Sequence, residues 1–352
     1  MARRKNVSYF LNLQGGFSGV NNPGGAVYWV GASGYAAYDG SSPSDANDGL
    51  SPQEPFATIQ AALNACTSGR GDIVMVLPGT YTVTAAITMS KDDVTLASAL
   101  PVGRRERSQV IIANSTDVNT LIITGNDCKV IGIGFDDDVA TATAATAAVC
   151  IGNIASSAVT VSNTIIRNCY IDMLGSDADR DGICVGLTAD ASDGGPHTLI
   201  EGCTILDPDN CGVIINVGSP YTVVRDCHIY DLVNLCLYGV EVLAVSCTVE
   251  HCDILVSATT GPGACIHNGV AAARLLAVNN TLHAWGADTT AILVINTATQ
   301  RTANNWITAT ATKNSVDYLT ACTSPSADVN WYAFYAADPA GTDATEVSVA
   351  GA

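Results

Sequence analysis

Acidic side chains are the most evident candidates for chemistry in this chain. The segment Asp177-Ala-Asp-Arg-Asp-Gly182 has the Asp-x-Asp-x-Asp-Gly spacing of calcium loops, with Asp177, Asp179 and Asp181 as the ligands. Gly182 permits the tight turn that brings three carboxylates to one side. Position twelve of such a loop is Thr188 instead of a bidentate Glu, so a solvated acidic loop is the alternative interpretation. Calcium is therefore the one cofactor that the sequence suggests.

Four further carboxylates are candidates for an enzyme site, because they lie in neighbouring repeats and could converge on one face: Glu201, Asp207, Asp209 and Glu241. Glycoside hydrolysis needs a carboxylate pair, and a uronate lyase needs a base and a cation that neutralises the substrate. Arg167, Glu201 and Arg225 share one repeat position, which also fits a ladder of cross-coil ion pairs. No lyase-type Arg/Lys/Asp set is present. We therefore assign no catalytic residue and keep a carbohydrate-active enzyme as the alternative function.

These residues are carried by a repeat whose clearest copies are Thr164–Ile171, Thr198–Ile205 and Thr222–Ile229. Alignment with weaker copies gives a column of residue types that readily adopt left-handed backbone geometry: Gly132, Asn168, Gly202, Asp226, His251, Asn279 and Asn304. Three positions later comes an apolar column: Phe135, Ile171, Ile205, Ile229, Ile254, Leu282 and Ile307. The basal spacing of about 24 to 25 residues predicts one bend and one inward side chain per coil of a β-solenoid.

Four cysteines follow the bend column directly: Cys169, Cys203, Cys227 and Cys252. In a parallel solenoid they would lie above one another at the strand spacing of about 4.8 Å, as small buried apolar side chains. The alternatives are a zinc site, although the chain has no Cys-x-x-Cys pair, and partial disulfide formation. We expect a structural column of reduced thiols.

The repeat, together with Asp48–Ala62 and Asp72–Tyr81, resembles the right-handed parallel β-helix proteins of the pectin-lyase-like superfamily. In that family the first segment leads into a capping helix and the second forms the first coil. The resemblance covers roughly residues 45 to 310 and implies an all-β, single-stranded right-handed parallel β-helix with an N-terminal capping helix. The same scaffold carries lyases, hydrolases, adhesins and phage structural proteins, so it leaves the function open.

Four segments divide the chain. Residues 1–44 form an aromatic and glycine-rich arm, 45–70 the lead-in and capping helix, 71–320 the β-helix, and 321–352 a C-terminal cap or tail. The helix is expected within Pro55–Cys66, with Phe56, Ile59, Ala62 and Leu63 on its apolar face. Core candidates in the first coils are Ile73, Met75, Ile87, Met89, Val94, Leu96, Ile111, Leu121 and Ile123.

The arm is either a cap on the first coil or an attachment segment that packs against another subunit. For attachment the candidate residues are Arg3, Arg4, Lys5, Tyr9, Phe10, Phe17 and Trp29. In the attachment interpretation we expect the β-helix to fold without residues 1–44. The expected partners are other virion proteins bound through this arm and further copies of the chain, with a homotrimer expected from the resemblance to phage spikes and fibres.

Charge and composition restrict the function classes. The net charge of −18, with only 15 Lys and Arg, disfavours nucleic acid and anionic membranes as partners and leaves proteins, glycans and cations. The first residues do not resemble a signal peptide, so we expect synthesis and assembly in a host cytoplasm. The sequence thus predicts a structural phage virion protein, either a head decoration, a fibre or a tail-spike component, that uses a β-helix as a rigid surface and binds glycans or a host surface.

Overall fold

The structure, a computed structural model, describes residues 24–35, 42–100, 109–137, 146–152, 160–173, 180–186, 194–232, 236–257, 264–269, 275–284, 293–294, 301–303, 305–310 and 331–335. Several predicted residues lie outside these ranges: Arg3, Arg4, Lys5, Tyr9, Phe10, Phe17, Asp177, Asp179 and Asn304.

Three parallel sheets wind into a right-handed parallel β-helix, as predicted. Sheet A contains β1 (Val27–Val30), β2 (Ile73–Val76), β5 (Thr95–Ser98), β8 (Lys129–Ile131), β11 (Ile165–Arg167), β14 (Leu199–Glu201), β17 (Val223–Arg225), β20 (Cys247–Glu250), β23 (Leu275–Val278) and β26 (Arg301–Ala303). Sheet B contains β3 (Gly79–Val83), β6 (Val110–Asn114), β9 (Gly134–Asp137), β12 (Tyr170–Asp172), β15 (Thr204–Leu206), β18 (His228–Tyr230), β21 (Asp253–Val256), β24 (Thr281–Ala284), β27 (Trp306–Thr310) and β28 (Trp331–Tyr335). Sheet C contains β4 (Ile87–Met89), β7 (Leu121–Ile123), β10 (Thr146–Ile151), β13 (Arg180–Val185), β16 (Cys211–Ile215), β19 (Tyr238–Val242), β22 (Ala264–Asn268) and β25 (Leu293–Val294). Each coil visits the sheets in the order A, B, C.

The predicted apolar column is the interior side of sheet B. Ile171, Ile205, Ile229 and Ile254 are register partners on successive strands, and all are fully buried. Among the early core candidates, Ile111 was wrong. Ile112 is the buried residue, because a shift of one residue in a strand moves the side chain to the other face.

The bend column has the predicted left-handed backbone between sheets A and B. The φ angles are 68° at Gly132, 52° at Asn168, 65° at Gly202, 56° at Asp226, 55° at His251 and 56° at Asn279. A second left-handed column, not predicted, lies where the chain leaves sheet C for sheet A. Its members are Asp93, Asp127, Asn163, His197, Tyr221 and Ser246. Each described sheet A strand between Lys129 and Glu250 therefore lies between two such corners.

The cysteine column is a ladder of hydrogen bonds as well as an apolar stack. Cys169, Cys203, Cys227 and Cys252 are buried and free of disulfides. The Cys203 thiol donates to the Ile166 carbonyl, the Cys227 thiol to the Ile200 carbonyl and the Cys252 thiol to the Val224 carbonyl, each at 3.7 Å and on the preceding coil. On the next two coils asparagines take over. The Oδ1 atom of Asn280 accepts from the Cys252 N–H at 2.9 Å, and that of Asn305 from the Asn280 N–H at 3.0 Å. The column therefore supplies hydrogen-bond partners for buried backbone groups of the preceding coil.

The N-terminal end is closed by a short helix and by the first strand. Helix α1 (Ile59–Ala65) lies within the predicted range Pro55–Cys66, and the Thr58 hydroxyl caps it by accepting from the Ala61 N–H at 3.2 Å. Its buried face contains Ile59, Ala62 and Leu63, as predicted, and Phe56 is buried just before it.

Strand β1 changes the boundary predicted for the arm. Val27–Val30 pair in register with Ile73–Val76, and Val30 is fully buried. The predicted attachment residue Trp29 lies in this strand and packs against a cluster on the outer side of sheet A that includes Ile73 and Met75. Residues 27–30 therefore belong to the β-helix, because their backbone groups complete the edge of sheet A.

Candidate functional site

A glycine motif in sheet C places polar side chains on its outer face. Gly182, Gly212 and Gly239 each follow a polar or aromatic residue and precede a buried Ile or Val. A Cβ atom added at Gly212 would meet the Ile229 side chain at 2.5 Å and the Gly239 carbonyl oxygen at 2.6 Å, so this position faces the interior and accepts only glycine. Since the glycine and the following residue both face inward, the residue before the glycine is directed outward. These residues are Asp181, Cys211 and Tyr238.

Two carboxylates of different character lie on this outer face. Asp181 is only 7% exposed, and its Oδ1 atom accepts hydrogen bonds from the Asn210 Nδ2 at 2.9 Å and the Cys211 N–H at 3.1 Å. Burial raises the pKa of Asp181 to about 7, and the charge of Glu241 contributes to the rise. Glu241 instead contacts His267, with 3.1 Å between Oε1 and Nδ1. A carboxyl group with a raised pKa and a second carboxyl group beside a histidine thus lie on one face.

An aromatic pair borders the carboxylates. The rings of Tyr238 and His267 stack with centroids 4.1 Å apart and planes 10° from parallel. The Cys211 thiol lies between the acids, with its Sγ atom 3.8 Å from the Glu241 Oε2. We call Asp181, Cys211, Tyr238, Glu241 and His267 the sheet C site. Its accessible edge is formed by Glu241 and His267, with side chains 15% and 20% exposed, and by the half-buried Tyr238.

Glu201 lies elsewhere, on the outer face of sheet A. Its Oε2 atom is 2.6 Å from the Arg167 Nε, and its Oε1 atom is 2.8 Å from the Arg225 Nη2. Glu250 is the register partner of Arg225 on the following strand. Arg167, Glu201 and Arg225 form the ion-pair ladder that the sequence offered as an alternative to catalysis, and Glu250 continues the alternation of charge along the axis.

Asp207 and Asp209 are both buried in the connection from sheet B to sheet C. Asp207 has a left-handed backbone, with φ of 49°, and its Oδ1 atom accepts from the Leu232 N–H of the next coil at 2.6 Å. Asp231 repeats this role, since its Oδ2 atom accepts from the Ser257 N–H at 3.1 Å. Asp207 therefore holds neighbouring corners together. Of the four candidate carboxylates, only Glu241 lies in the sheet C site.

The predicted calcium ligand Asp181 belongs to strand β13 and bonds to Asn210 and Cys211. Arg180 beside it is fully buried, with its guanidinium on Asp137. In the described ranges, no three His, Cys, Asp or Glu side chains are grouped as a metal site. The other two predicted ligands lie outside those ranges.

A second polar cluster lies on the outer face of sheet B. The Tyr230 hydroxyl donates to the Asp253 Oδ2 at 2.6 Å. His228 and His283 flank the same carboxylate, with N–O distances of 3.7 and 3.6 Å. The bond to His228 lowers the pKa of Asp253 against the opposing effect of burial, and Tyr230 adds to this. Three consecutive strands are linked by this cluster.

Sequence reasoning missed Cys211, Tyr238 and His267. The signal was the pattern Asp181-Gly-Ile-Cys-Val, Cys211-Gly-Val-Ile-Ile and Tyr238-Gly-Val-Glu-Val, which repeats once per coil. A cleft of about 460 Å³ between α1 and the turn after β3 is lined mainly by small neutral residues, and Tyr81 is its only titratable group. No helix in the described part of the chain is long and apolar enough to cross a membrane.

Comparison with known proteins defines the fold. No family profile matches the sequence, and no curated protein matches it significantly. Among solved structures, the pectate lyase Pel9A is 15% identical with a TM-score of 0.50, over 92% of this chain and 82% of that one. A rhamnogalacturonan lyase is 14% identical with a TM-score of 0.48, over 92% and 79%. ORF18 of Geobacillus virus E2 is 14% identical with a TM-score of 0.41, over 82% of this chain, which spans only 59% of the viral protein's length. The chain is a right-handed parallel β-helix with the fold of pectate lyase.

Proposed function

We propose that this protein is a structural component of a phage virion whose β-helix forms a rigid surface for binding neutral glycans at the sheet C site. The stacked Tyr238 and His267 rings beside Glu241 carry the proposal. A sugar ring has an apolar face and a polar rim of hydroxyls. Aromatic side chains beside a carboxylate offer a matching combination of apolar contact and hydrogen-bond acceptors.

Charge favours a neutral ligand over a uronate polymer. Arg180 is the only Lys or Arg in the described strands of sheet C, and it is fully buried on Asp137. The outer face of these strands therefore offers acidic groups and no accessible cation. A uronate would be repelled there, and its carboxylate would not be neutralised as lyase chemistry requires.

The ladders support a rigid binding surface. The Cys and Asn column connects six described coils through hydrogen bonds from one coil to the next, and the ion pairs of Glu201 with Arg167 and Arg225 link three coils on the outside of sheet A. Each of these contacts fixes a coil relative to its neighbour, so surface groups keep their spacing when a ligand binds.

Glycan binding is tested by isothermal titration calorimetry with cellohexaose, chitohexaose and maltohexaose. Glu241→Gln and Tyr238→Ala should weaken binding by about tenfold, which corresponds to the loss of one good contact. Glu201→Gln is the matched control, because Glu201 is a carboxylate in an ion-pair ladder on a different sheet. If all three variants bind as tightly as the unaltered chain, the sheet C site is ruled out.

Virion attachment is assigned to the residues before β1, with a homotrimer as the assembly unit. The aromatic residues Tyr9, Phe10 and Phe17 and the cations Arg3, Arg4 and Lys5 support this assignment. Antibodies against the chain should label intact particles, and sedimentation should give three times the chain mass. A chain shortened to begin at Gly24 should fold yet be missing from particles. If the antibodies also label particles assembled with the shortened chain, the arm is not needed for attachment.

Hydrolysis of a glycosidic bond is a second candidate function, favoured by the raised pKa of Asp181. Asp181 would protonate the leaving oxygen, and Glu241 would act as the base or nucleophile. Reducing ends should then be released from a neutral glycan, at a rate that falls as the pH rises through about 7, where Asp181 loses its proton. Asp181→Asn and Glu241→Gln should abolish the release and Glu201→Gln should not. No release from any neutral glycan would leave binding as the function.

A further inference from the structure

Tyr221 has an unusual backbone for an aromatic residue. It lies in the second corner column with φ of 61°, a left-handed conformation that Asn and Asp adopt more readily. Its side chain is 54% exposed, so the ring does not contribute a buried side chain to the core in return. A strained backbone that holds an exposed ring in place points to a role for the ring itself.

The ring is the end of a short aromatic stack. His197, which has the same corner position one coil earlier, stacks on Tyr221 with centroids 4.9 Å apart and planes 11° from parallel. One coil later the position is Ser246, whose side chain is too small to cover the second face of Tyr221. Val245, which precedes Ser246 in the chain, is 41% exposed. Because adjacent coils are about 4.8 Å apart, the space on the second face of Tyr221, at the level of the Ser246 coil, has the thickness of one further ring.

The described surroundings of the Tyr221 ring hold no acidic side chain and no Lys or Arg. The described corner segments 160–164, 194–198, 216–222 and 243–247 contain no Asp, Glu, Lys or Arg. The Ser246 hydroxyl provides a polar group on the open side of the ring, whereas His197 covers the other face. A ring with one apolar face and a rim of hydroxyls matches this combination.

We propose that Tyr221 is a stacking platform for one ring of a neutral linear glycan that runs along the solenoid axis at the corner between sheets C and A. The choice of a glycan rests on the proposed function, but the residues are separate from the sheet C site. The sugar ring lies on the open face of Tyr221 and continues the stack that begins at His197, with its hydroxyls directed to Ser246.

The test uses the full chain, the same three hexasaccharides and calorimetry. Tyr221→Asn should bind at least about tenfold more weakly, because it removes the ring. The same variant should unfold at the same or a higher temperature, since Asn163 shows that this residue type fits the corner. Tyr221→Phe keeps the ring and should bind within about twofold of the unaltered chain.

The outcomes separate this inference from the proposed function. If Tyr221→Asn binds normally and Glu241→Gln does not, the corner platform is wrong and the sheet C site stands. If Tyr221→Asn loses binding and Glu241→Gln does not, the glycan binds at the corner and the sheet C site is wrong. If the unaltered chain binds none of the three hexasaccharides, both are overturned.

Discussion

The guanidinium of Arg180 contacts the carboxylate of Asp137 with both side chains completely buried, 43 residues apart in sequence. The contact joins the end of β9 to the start of β13. The same guanidinium also donates to the Thr146 hydroxyl and the Val118 carbonyl, so one side chain connects three coils.

Replacement of Arg180 alone should be among the most damaging single changes in the chain. Arg180→Met should lower the free energy of unfolding by about 3 to 5 kcal/mol, because Asp137 then remains buried without its cation. Adding Asp137→Leu should restore a large part of the loss, since the fully buried carboxylate is then removed together with its cation. Urea unfolding of the single and double variants measures the loss and its recovery. A loss below about 1 kcal/mol for Arg180→Met would contradict the prediction.

The bend column gives a pair of substitutions that differ only in backbone preference. Asn168 has φ of 52°. Asn168→Val forces a β-branched residue into the left-handed region and should cost about 1 to 3 kcal/mol, whereas Asn168→Gly should be nearly neutral. Thermal unfolding of the two variants compares them. Equal shifts would show that the left-handed bend is not the reason for Asn at this position.

Asn280 occupies the column position that cysteines fill on the preceding coils. Its Oδ1 atom accepts from the Cys252 N–H, and its Nδ2 atom donates to the Val249 carbonyl at 3.0 Å. Asn280→Leu leaves the buried Cys252 N–H without an acceptor and should cost about 1 to 3 kcal/mol. Asn280→Cys should cost less, because cysteine fills the same position on four earlier coils. A larger loss for Asn280→Cys than for Asn280→Leu in urea unfolding would argue against the ladder.

Truncation distinguishes the arm from the first strand. A chain that begins at Ser41 lacks β1, so the edge of β2 is exposed and the buried Asp72 loses the hydrogen bond from the Ala26 N–H at 2.7 Å. We expect it to aggregate or to unfold at a clearly lower temperature. A chain that begins at Gly24 should keep its circular dichroism and its midpoint. Equal unfolding midpoints for the two shortened chains would show that β1 belongs to the arm and not to the β-helix.

The stability should respond to the ionisation of Asp181. Its folded pKa of about 7 lies above the ordinary value of 3.8, so the folded state binds this proton more tightly than the unfolded state. The contribution of Asp181 to stability is complete below about pH 4 and falls as the pH rises towards 7. Asp181→Asn keeps the acceptor oxygen without the charge, so its stability relative to the unaltered chain should increase between pH 5 and 8. A constant difference across that range in urea unfolding would contradict the raised pKa.

The sequence predicts the features that repeat with one residue type and leaves out those that do not. Asn168 and Ile171 were identifiable because Gly, Asn and Asp recur at the bend and Ile recurs three positions later. The second corner repeats with the same spacing as the bend column, but it mixes Asp, Asn, His, Tyr and Ser, so residue type did not mark it. The contact between Arg180 and Asp137 depends on a tertiary fold, since nothing local relates residues so far apart. The sheet C site needed the glycine motif, which loops of unequal length obscure.

The closed edge at β1 also limits how copies of this chain can join. The Trp29 N–H donates to the Gly49 carbonyl at 2.7 Å, and the Trp29 carbonyl accepts from the Phe56 N–H at 2.9 Å, so this edge of sheet A is already occupied. Helix α1 covers the core behind it. Strand addition from another molecule is therefore blocked at this edge of sheet A, which protects the chain from cross-β polymerisation there. Copies that meet at this edge must associate through side chains.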